Sequence, residues 1–219
     1  MIKCCIFDLD GTLLDTLSTI TYYLNVKLRD YSLPEISREE CRDCVGAGAM
    51  KLVRNVLAPR GVTDEENVLR FYKEYTEAYD SDPYHLTEPY EGIHELIDTL
   101  NARGVRIAVL SNKPDFATRS LINRYFGDKI PLAHGGREGV PLKPAPDGVY
   151  ELMSELGVTP AECAYIGDSE IDVRTFLAAN VAVGIAVTWG FRTREQLTRE
   201  GATVFADTPS DILTVIDRY

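Results

Sequence analysis

Basic residues are scarce in this 219-residue sequence. Its 23 lysines and arginines stand against 34 aspartates and glutamates, which gives a net charge of −11. A field of this sign repels nucleic-acid backbones and anionic lipid, so the composition disfavours DNA, RNA and membrane surfaces as partners. A small anionic substrate is compatible with it, because a few local cations and a metal ion decide how such a molecule binds.

Long apolar runs are also missing. No stretch of the sequence approaches the roughly 18 apolar residues that a membrane-spanning helix requires. Near the start, Asp8 and Asp10 interrupt the apolar run before the core of a signal peptide can develop. We therefore expect a cytoplasmic protein.

Cysteine is too sparse for a disulfide framework. There are five cysteines, an odd number, and two of them are adjacent on an apparent strand, which is typical of reduced thiols. Cys41 and Cys44 form one CxxC pair. A zinc site needs four ligands, and the three histidines show no paired spacing, so we interpret this pair as half-buried thiols.

The pattern of apolar residues predicts an α/β fold with a helical insertion. Residues 3–7 form a short apolar run that reads as a buried strand, and residues 16–84 show only helical patterns. After Pro89, strands predicted over 105–110, 131–133, 163–166, 181–187 and 203–205 alternate with helices. Such alternation predicts a doubly wound, Rossmann-like parallel sheet with helices on both faces. We predict an α/β core of residues 1–14 and 89–219 and an all-helical cap of residues 15–88, inserted after strand one.

Polar residues that can carry chemistry follow the predicted strands directly. In an open parallel sheet, ligands bind outside the carboxyl ends of the strands. Separate segments bring carboxylates, a hydroxyl, an amide and an ammonium to this edge, namely Asp8 and Asp10, Ser111 and Asn112, Lys143, and Asp168 and Asp172. The sequence therefore predicts one polar site built from distant parts of the chain.

The four aspartates of this site predict a metal ion. Crowded carboxylates repel one another strongly in a cleft of low dielectric constant unless a cation neutralises them. Mg²⁺ prefers oxygen ligands and keeps positions open for water and for a phosphate oxygen. Lys143 and Ser111 would supply positive charge and a hydrogen-bond donor on the other side of that phosphate. We therefore predict a site for a phosphoryl group beside Mg²⁺.

These motifs resemble those of the haloacid dehalogenase superfamily. The resemblance covers the whole chain in order, with the first to fourth motifs at Asp8-Leu9-Asp10-Gly11-Thr12, Ser111, Lys143, and Gly167-Asp168-Ser169 with Asp172. The helical insertion resembles the cap of that superfamily. Three further stretches are similar to the phosphoglycolate phosphatase group, with β-phosphoglucomutase-like proteins close by: Pro89-Tyr90-Glu91-Gly92, Lys143-Pro144 and Val187-Thr188-Trp189-Gly190-Phe191.

The resemblance implies a Mg²⁺-dependent phosphatase that acts on a small phosphorylated metabolite such as 2-phosphoglycolate. Asp8 would attack phosphorus to form an aspartyl-phosphate, and Asp10 would act as general acid and then as general base. Asp8, the Asp10 carbonyl and Asp168 would hold the metal, with Asp172 acting through metal-bound water. The phosphate would bind to Ser111, Lys143 and the main-chain N–H of Asn112.

Two expectations concern the surroundings of this site. A free Asp has a pKa near 3.9, so a general acid at Asp10 calls for burial or a neighbouring carboxylate to raise it. In the cap, glycines open a helix on which Lys51 and Arg54 share a face, and we hypothesise that these cations meet the non-phosphate end of the substrate.

Two alternatives to a phosphatase are open from sequence. A sugar phosphomutase would return the phosphoryl group to its substrate, although the arginine-bearing cap signature of such enzymes is missing. A phosphate-binding module without catalysis could keep the fold, although a binder has no need of a nucleophile such as Asp8. A product assay distinguishes a phosphomutase from a phosphatase, and turnover of any phosphoester excludes the binding module.

Overall fold

The computed structural model describes all 219 residues. Six parallel strands form the main sheet in the order β5-β4-β1-β6-β7-β8. These strands are β1 (Cys4–Phe7), β4 (Arg106–Pro114), β5 (Leu132–Gly136), β6 (Cys163–Gly167), β7 (Val183–Val187) and β8 (Phe205–Ala206). A two-stranded antiparallel ribbon pairs β2 (Leu14–Asp15) with β3 (Glu88–Pro89). The predicted doubly wound parallel sheet is confirmed.

Ten helices surround the two sheets. They are α1 (Leu17–Asp30), α2 (Arg38–Cys44), α3 (Ala49–Leu57), α4 (Glu65–Ser81), α5 (Ile93–Ala102), α6 (Asp115–Tyr125), α7 (Asp147–Leu156), α8 (Glu170–Ala179), α9 (Arg194–Arg199) and α10 (Pro209–Ile216). None of them is both long enough and apolar enough to cross a bilayer.

The main sheet is apolar on both faces because helices cover both. Successive side chains of a strand point to opposite faces, so Cys5 and Phe7 of β1 join an apolar cluster with α5, α6 and α10. Cys4 and Ile6 join a second cluster with α7, α8 and α9. All five cysteines are free.

The central position of β1 determines where the site lies. β1 pairs with β4 on one side and β6 on the other, with Phe7 in register with Val109 and Ile166. Asp8 therefore emerges between the ends of β4 and β6. The three segments that carry Asp8, Ser111 and Asp168 leave the sheet side by side.

Helices α1–α4 pack around an apolar cluster of their own. Residues 15–88, which contain them, keep the name cap below. Two residues outside this range, Ala117 and Phe191, join the cluster. The chain enters and leaves the cap through the β2–β3 ribbon, where Leu14 lies opposite Pro89 and Asp15 opposite Glu88. The division into two domains at these positions stays a prediction.

Candidate active site

Asp8 lies at the bottom of a cleft between the sheet and the cap. Its side chain is nearly buried, and its Oδ1 accepts a hydrogen bond from the Leu9 N–H at 2.7 Å and lies 2.8 Å from Lys143 Nζ. No protein group donates to its other oxygen, Oδ2. Burial, followed by the nearby charge of Asp172, raises the pKa of Asp8 well above its ordinary value. The Lys143 ammonium opposes this rise without cancelling it, so a further cation beside Asp8 would favour the ionised carboxylate.

Asp10 reaches the same cleft because the chain turns at Gly11, which has a φ of +88°. Its carboxylate accepts hydrogen bonds from Lys113 Nζ at 2.9 Å and from the Thr16 hydroxyl at 2.5 Å. Lys113 Nζ also lies 4.6 Å from the centre of the Tyr79 ring in the cap. We expected burial or a neighbouring carboxylate around Asp10, and the groups that contact its carboxylate are instead an ammonium and a hydroxyl.

Asp168 is fully buried behind Asp8. It accepts hydrogen bonds from the Thr12 hydroxyl at 3.0 Å and from the Phe191 N–H at 2.7 Å. Burial and then the charge of Asp172 raise the pKa of Asp168 to about 7. This carboxylate is therefore held in place while its negative charge is left uncompensated.

Two glycines allow the chain to pack against Asp168. A Cβ on Gly11 would lie 2.3 Å from Asp168 Oδ2, and a Cβ on Gly190 would lie 2.3 Å from Asp168 Cβ and 2.4 Å from the Gly11 carbonyl. No side chain larger than hydrogen fits at either position. The main chain at Gly11 and the main chain at Gly190 therefore lie as close to Asp168 as they do because neither residue has a side chain.

Asp172 is satisfied by the protein itself. Its Oδ1 accepts from Lys143 Nζ at 2.8 Å and from the Tyr165 hydroxyl at 3.0 Å, and its Oδ2 accepts from the Ser169 hydroxyl at 2.6 Å. Burial alone would raise the pKa of Asp172, but the Lys143 ammonium and these hydrogen bonds outweigh it and lower the pKa. Asp172 therefore holds Lys143 between itself and Asp8.

The acids fit a divalent cation. One carboxylate oxygen from each of Asp8, Asp168 and Asp172 lies within 4.8 Å of the others, and all three residues are buried. Asp172 is paired with the Lys143 ammonium, whereas Asp168 accepts only from two neutral donors and Asp8 Oδ2 accepts from none. Asp8 and Asp168 are therefore the carboxylates open to a metal. A set of buried oxygen donors with uncompensated charge suits a hard ion such as Mg²⁺.

The uncompensated charge predicts that Asp168→Asn stabilises the metal-free protein at pH 8. Asp8 and Asp168 hold their protons to a higher pH in the folded protein than in the unfolded chain, where an Asp titrates near 3.9. The free energy of unfolding of the metal-free protein should therefore fall as the pH rises from about 4 to about 7. An amide at position 168 can accept from the Phe191 N–H and donate to the Thr12 hydroxyl, so it keeps both contacts without the charge.

Urea denaturation in EDTA measures this effect. We expect Asp168→Asn to be more stable than the wild type by about 2 kcal/mol at pH 8 and by clearly less at pH 5. If the wild type and Asp168→Asn were equally stable at both pH values, the charge of Asp168 would not destabilise the folded protein.

The predicted phosphate-binding residues lie beside Asp8. Ser111 is buried, and its Oγ accepts from the Lys113 N–H at 3.2 Å, which leaves its proton free to donate. The Asn112 side chain accepts from the Lys143 N–H at 2.8 Å and donates to the Lys143 carbonyl at 3.0 Å. The structure thus brings Ser111, Asn112 and Lys143 together, with the Asn112 side chain fixing the Lys143 main chain.

The structure does not bring Lys51 and Arg54 to the cleft. Lys51 is exposed, and Arg54 Nη2 donates to Glu65 Oε1 at 2.6 Å on the outside of the cap. The start of their helix does reach the cleft, where Gly46, Gly48 and Ala49 line it. The glycine-rich start of α3 therefore lies at the cleft, whereas Lys51 and Arg54 of the same helix do not line it.

The cleft encloses about 760 Å³ including its open mouth. The cap contributes apolar and aromatic side chains to its wall, including Ile20, Leu52, Tyr75 and Tyr79. A cleft that combines this apolar wall with the polar groups around Asp8 suits a small organic molecule.

Several residues of the site were not predicted. Lys113 and Arg192 line the cleft, Thr12 and Thr16 bond to Asp168 and Asp10, and Tyr165 bonds to Asp172. The position of Lys113 at the end of the same strand as Ser111 was a signal that could have revealed it. Thr12 belongs to the first motif, although no role was assigned to it, and the others carry no motif that marks them in the sequence.

Comparison with known proteins agrees with this architecture. The sequence model of the family described as haloacid dehalogenase-like hydrolase matches residues 5–186. Phosphoglycolate phosphatase 1 of Pseudomonas aeruginosa is 31% identical, covering 97% of this chain and 79% of its own length. The phosphoglycolate phosphatase of Rhodospirillum rubrum is 33% identical, covering 94% and 88%. A crystal structure from Lactobacillus delbrueckii subsp. bulgaricus superposes with a TM-score of 0.92 at 32% identity and covers 98% of both chains.

The α/β sheet, the acids at its edge and these relatives define a phosphatase, that is, a phosphoric monoester hydrolase. The chain belongs to the haloacid dehalogenase-like hydrolase family. The predicted resemblance to this superfamily and to its phosphoglycolate phosphatase group is confirmed.

Proposed function

We propose that this phosphatase hydrolyses a small phosphomonoester with the help of Mg²⁺, and that 2-phosphoglycolate is the first substrate to test. The observation that carries the proposal is the environment of Asp8. Its Oδ1 is fixed by Leu9 and Lys143, while its Oδ2 has no protein partner in a cleft that Asp10 also lines. Two of the relatives are named phosphoglycolate phosphatases, which supports the choice of first substrate.

Asp8 acts as the nucleophile in this proposal. Its Oδ2 attacks phosphorus, the bond from phosphorus to the leaving oxygen breaks, and an aspartyl-phosphate forms. Water then attacks the same phosphorus and regenerates the Asp8 carboxylate. One difficult displacement thereby becomes two easier ones.

Asp10 moves the proton in both steps. It protonates the leaving oxygen in the first step and takes a proton from water in the second. The Lys113 ammonium donates to this carboxylate at 2.9 Å and holds it at the cleft. For the first step, the proton can arrive with the substrate, because a phosphomonoester has its second pKa near 6.

Lys143 and Ser111 stabilise the charge that builds on the phosphoryl oxygens, together with the main-chain N–H of Asn112. Asp172 contributes by holding Lys143 at 2.8 Å, so the ammonium is in position before the substrate arrives. Preorganised donors of this kind cost little reorganisation during the reaction.

The metal site in this proposal consists of Asp8, Asp168 and the main-chain carbonyl of Asp10. When bound, Mg²⁺ would neutralise the acids and offset the negative charge of the phosphoryl group. Asp168 serves only to hold the metal ion in this proposal, since its hydrogen bonds from Thr12 and Phe191 fix its position.

A panel of phosphomonoesters at neutral pH with Mg²⁺ tests this function. We expect 2-phosphoglycolate to give a kcat/KM about tenfold or more above esters of sugars and nucleosides, the range that a fitted pocket provides. Product analysis by phosphorus NMR separates hydrolysis, which releases inorganic phosphate, from return of the phosphoryl group to the substrate. A sugar phosphate converted to its isomer would contradict hydrolysis, and no turnover of any ester would contradict an enzyme.

A further inference from the structure

Arg192 is a buried cation that the proposed chemistry does not use. It follows β7 and is only 7% exposed. Its Nε donates to Glu170 Oε2 at 2.7 Å. Its Nη1 donates to the Arg42 carbonyl at 2.8 Å, and its Nη2 donates to the Val45 carbonyl at 2.9 Å. A side chain from the core thus binds two main-chain groups of the cap.

Asn112 binds the same part of the cap from the other side. Its Nδ2 donates to the Gly46 carbonyl at 3.1 Å, and the same amide group holds the main chain of Lys143. Cap residues 42–46, called the latch segment below, are therefore fixed by two core side chains. One of these, Asn112, also fixes the residue proposed to bind phosphate.

The latch segment leads directly to the part of the cap that lines the cleft. Gly46, Gly48 and Ala49 face the cleft. A Cβ on Gly48 would lie 3.1 Å from Leu142 and 3.5 Å from the Asn112 carbonyl, so the cap main chain runs close against the core here. The position of the latch segment therefore sets the position of this edge over a bound substrate.

The chemistry of Arg192 suits this contact. The carbonyls at the end of a helix lack partners within the helix and carry partial negative charge, and both acceptors lie at the end of α2. A planar guanidinium can bind two carbonyls and a carboxylate at once, whereas a lysine ammonium on its flexible stem cannot match that geometry. Glu170 balances the buried charge and orients the group.

The neighbouring residue connects the same segment to the proposed metal site. The Phe191 side chain packs into the apolar cluster of the cap, while its N–H donates to Asp168. Phe191 and Arg192 therefore contact the cap through an aromatic ring and a guanidinium. Their main chain is anchored to Asp168, an acid of the proposed metal site.

We propose that Arg192, oriented by Glu170 and assisted by Asn112, is a positioning residue that fixes the cap edge over the cleft. The effect on substrate affinity rests on the proposed function, whereas the effect on the latch segment does not. Loss of Arg192 should free residues 45–52 and weaken substrate binding more than it slows the chemical step.

Arg192→Met tests the proposal with Arg194→Met as the matched control. Arg194 lies two residues along, and its exposed ion pair with Asp207 makes no cap contact, so both variants lose the same charge. Hydrogen exchange by mass spectrometry reads out the amides of residues 45–52 without substrate. We expect about tenfold faster exchange there in Arg192→Met and no change in Arg194→Met. With the best substrate of the panel, KM should rise about tenfold while kcat stays within about threefold.

Unchanged exchange at residues 45–52 in Arg192→Met would overturn the proposal, and so would a fall in kcat at constant KM. If Arg192→Met does not fold, Glu170→Gln decides instead, because it keeps the guanidinium but removes the charge that orients it. Faster exchange confined to residues 45–52 in that variant supports the proposal, and unchanged exchange overturns it. Absence of turnover in the wild type would contradict only the proposed function, since the exchange measurement needs no substrate.

Discussion

Replacing Asp8 with Asn should lower kcat by about a thousandfold or more, because it removes the nucleophile of the first step of the proposed reaction. The structure indicates that the fold will survive. Both contacts of Asp8 are made to Oδ1, and the amide oxygen of Asn can accept the hydrogen bond from Leu9 and lie beside Lys143 in the same way. The amide nitrogen then takes the place of Oδ2, which has no protein partner. Steady-state kinetics with the best substrate measures the loss.

Asp172→Asn is an informative comparison for that variant. It too removes a carboxylate next to Lys143, but this carboxylate does not attack phosphorus in the proposal. We expect it to retain more activity than Asp8→Asn, since Lys143 keeps Asp8 as a partner. Turnover close to that of the wild type in Asp8→Asn, with the fold verified by circular dichroism, would rule out Asp8 as the nucleophile.

Removal of divalent metal should abolish activity almost as completely. Asp8 and Asp168 are buried acids whose pKa values are raised, so without a cation the nucleophile is held in its protonated, unreactive form at lower pH and is repelled by Asp168 at higher pH. We expect EDTA to lower kcat/KM by about a hundredfold or more and Mg²⁺ to restore it. Ca²⁺ should restore it poorly, because it is larger and its coordination is looser.

Dialysis against EDTA followed by a titration with each metal measures this dependence. The Asp168→Asn variant provides the control, since it should gain little from Mg²⁺ at any concentration. Full activity after chelation, or equal rescue by Ca²⁺ and Mg²⁺, would contradict a Mg²⁺ site made of Asp8, Asp168 and the Asp10 carbonyl.

The sheet could be predicted from the sequence because its central strands are buried on both faces. Such strands read as continuous apolar runs, and β1, β4 and β6 all do. Two elements gave no such signal. The ribbon of β2 and β3 has two residues in each strand, and α9 has six residues with only Leu197 buried, so neither is long enough to show a period.

The acids of the site were predictable for a related reason. Asp8 and Asp168 directly follow apolar strands, and the parallel topology brings those strand ends together. Lys51 and Arg54 show the limit of this reasoning. Their spacing shows that they share a face of α3, but the direction of that face depends on how α3 packs in the cap, and Arg54 pairs with Glu65 of α4.

Arg192 and Lys113 were missed because their roles are made by tertiary contacts. Arg192 stands in a polar stretch, where a single arginine is expected to be solvated, and only the fold buries it against the cap. The same holds for Tyr79, whose ring reaches Lys113 from a different part of the chain. Tyr79 is buried in the cap, but the helical spacing of apolar residues cannot identify its neighbour in the core.

The most direct test of this account is to look for the phosphoryl group on the enzyme. The wild type is mixed with substrate labelled in its phosphate, quenched in acid within milliseconds, digested and examined by mass spectrometry. We predict an acid-stable, hydroxylamine-sensitive phosphate on the peptide that contains Asp8, and none in Asp8→Asn. A fully active enzyme that carries its label on another residue, or never becomes labelled during turnover, would contradict nucleophilic attack by Asp8.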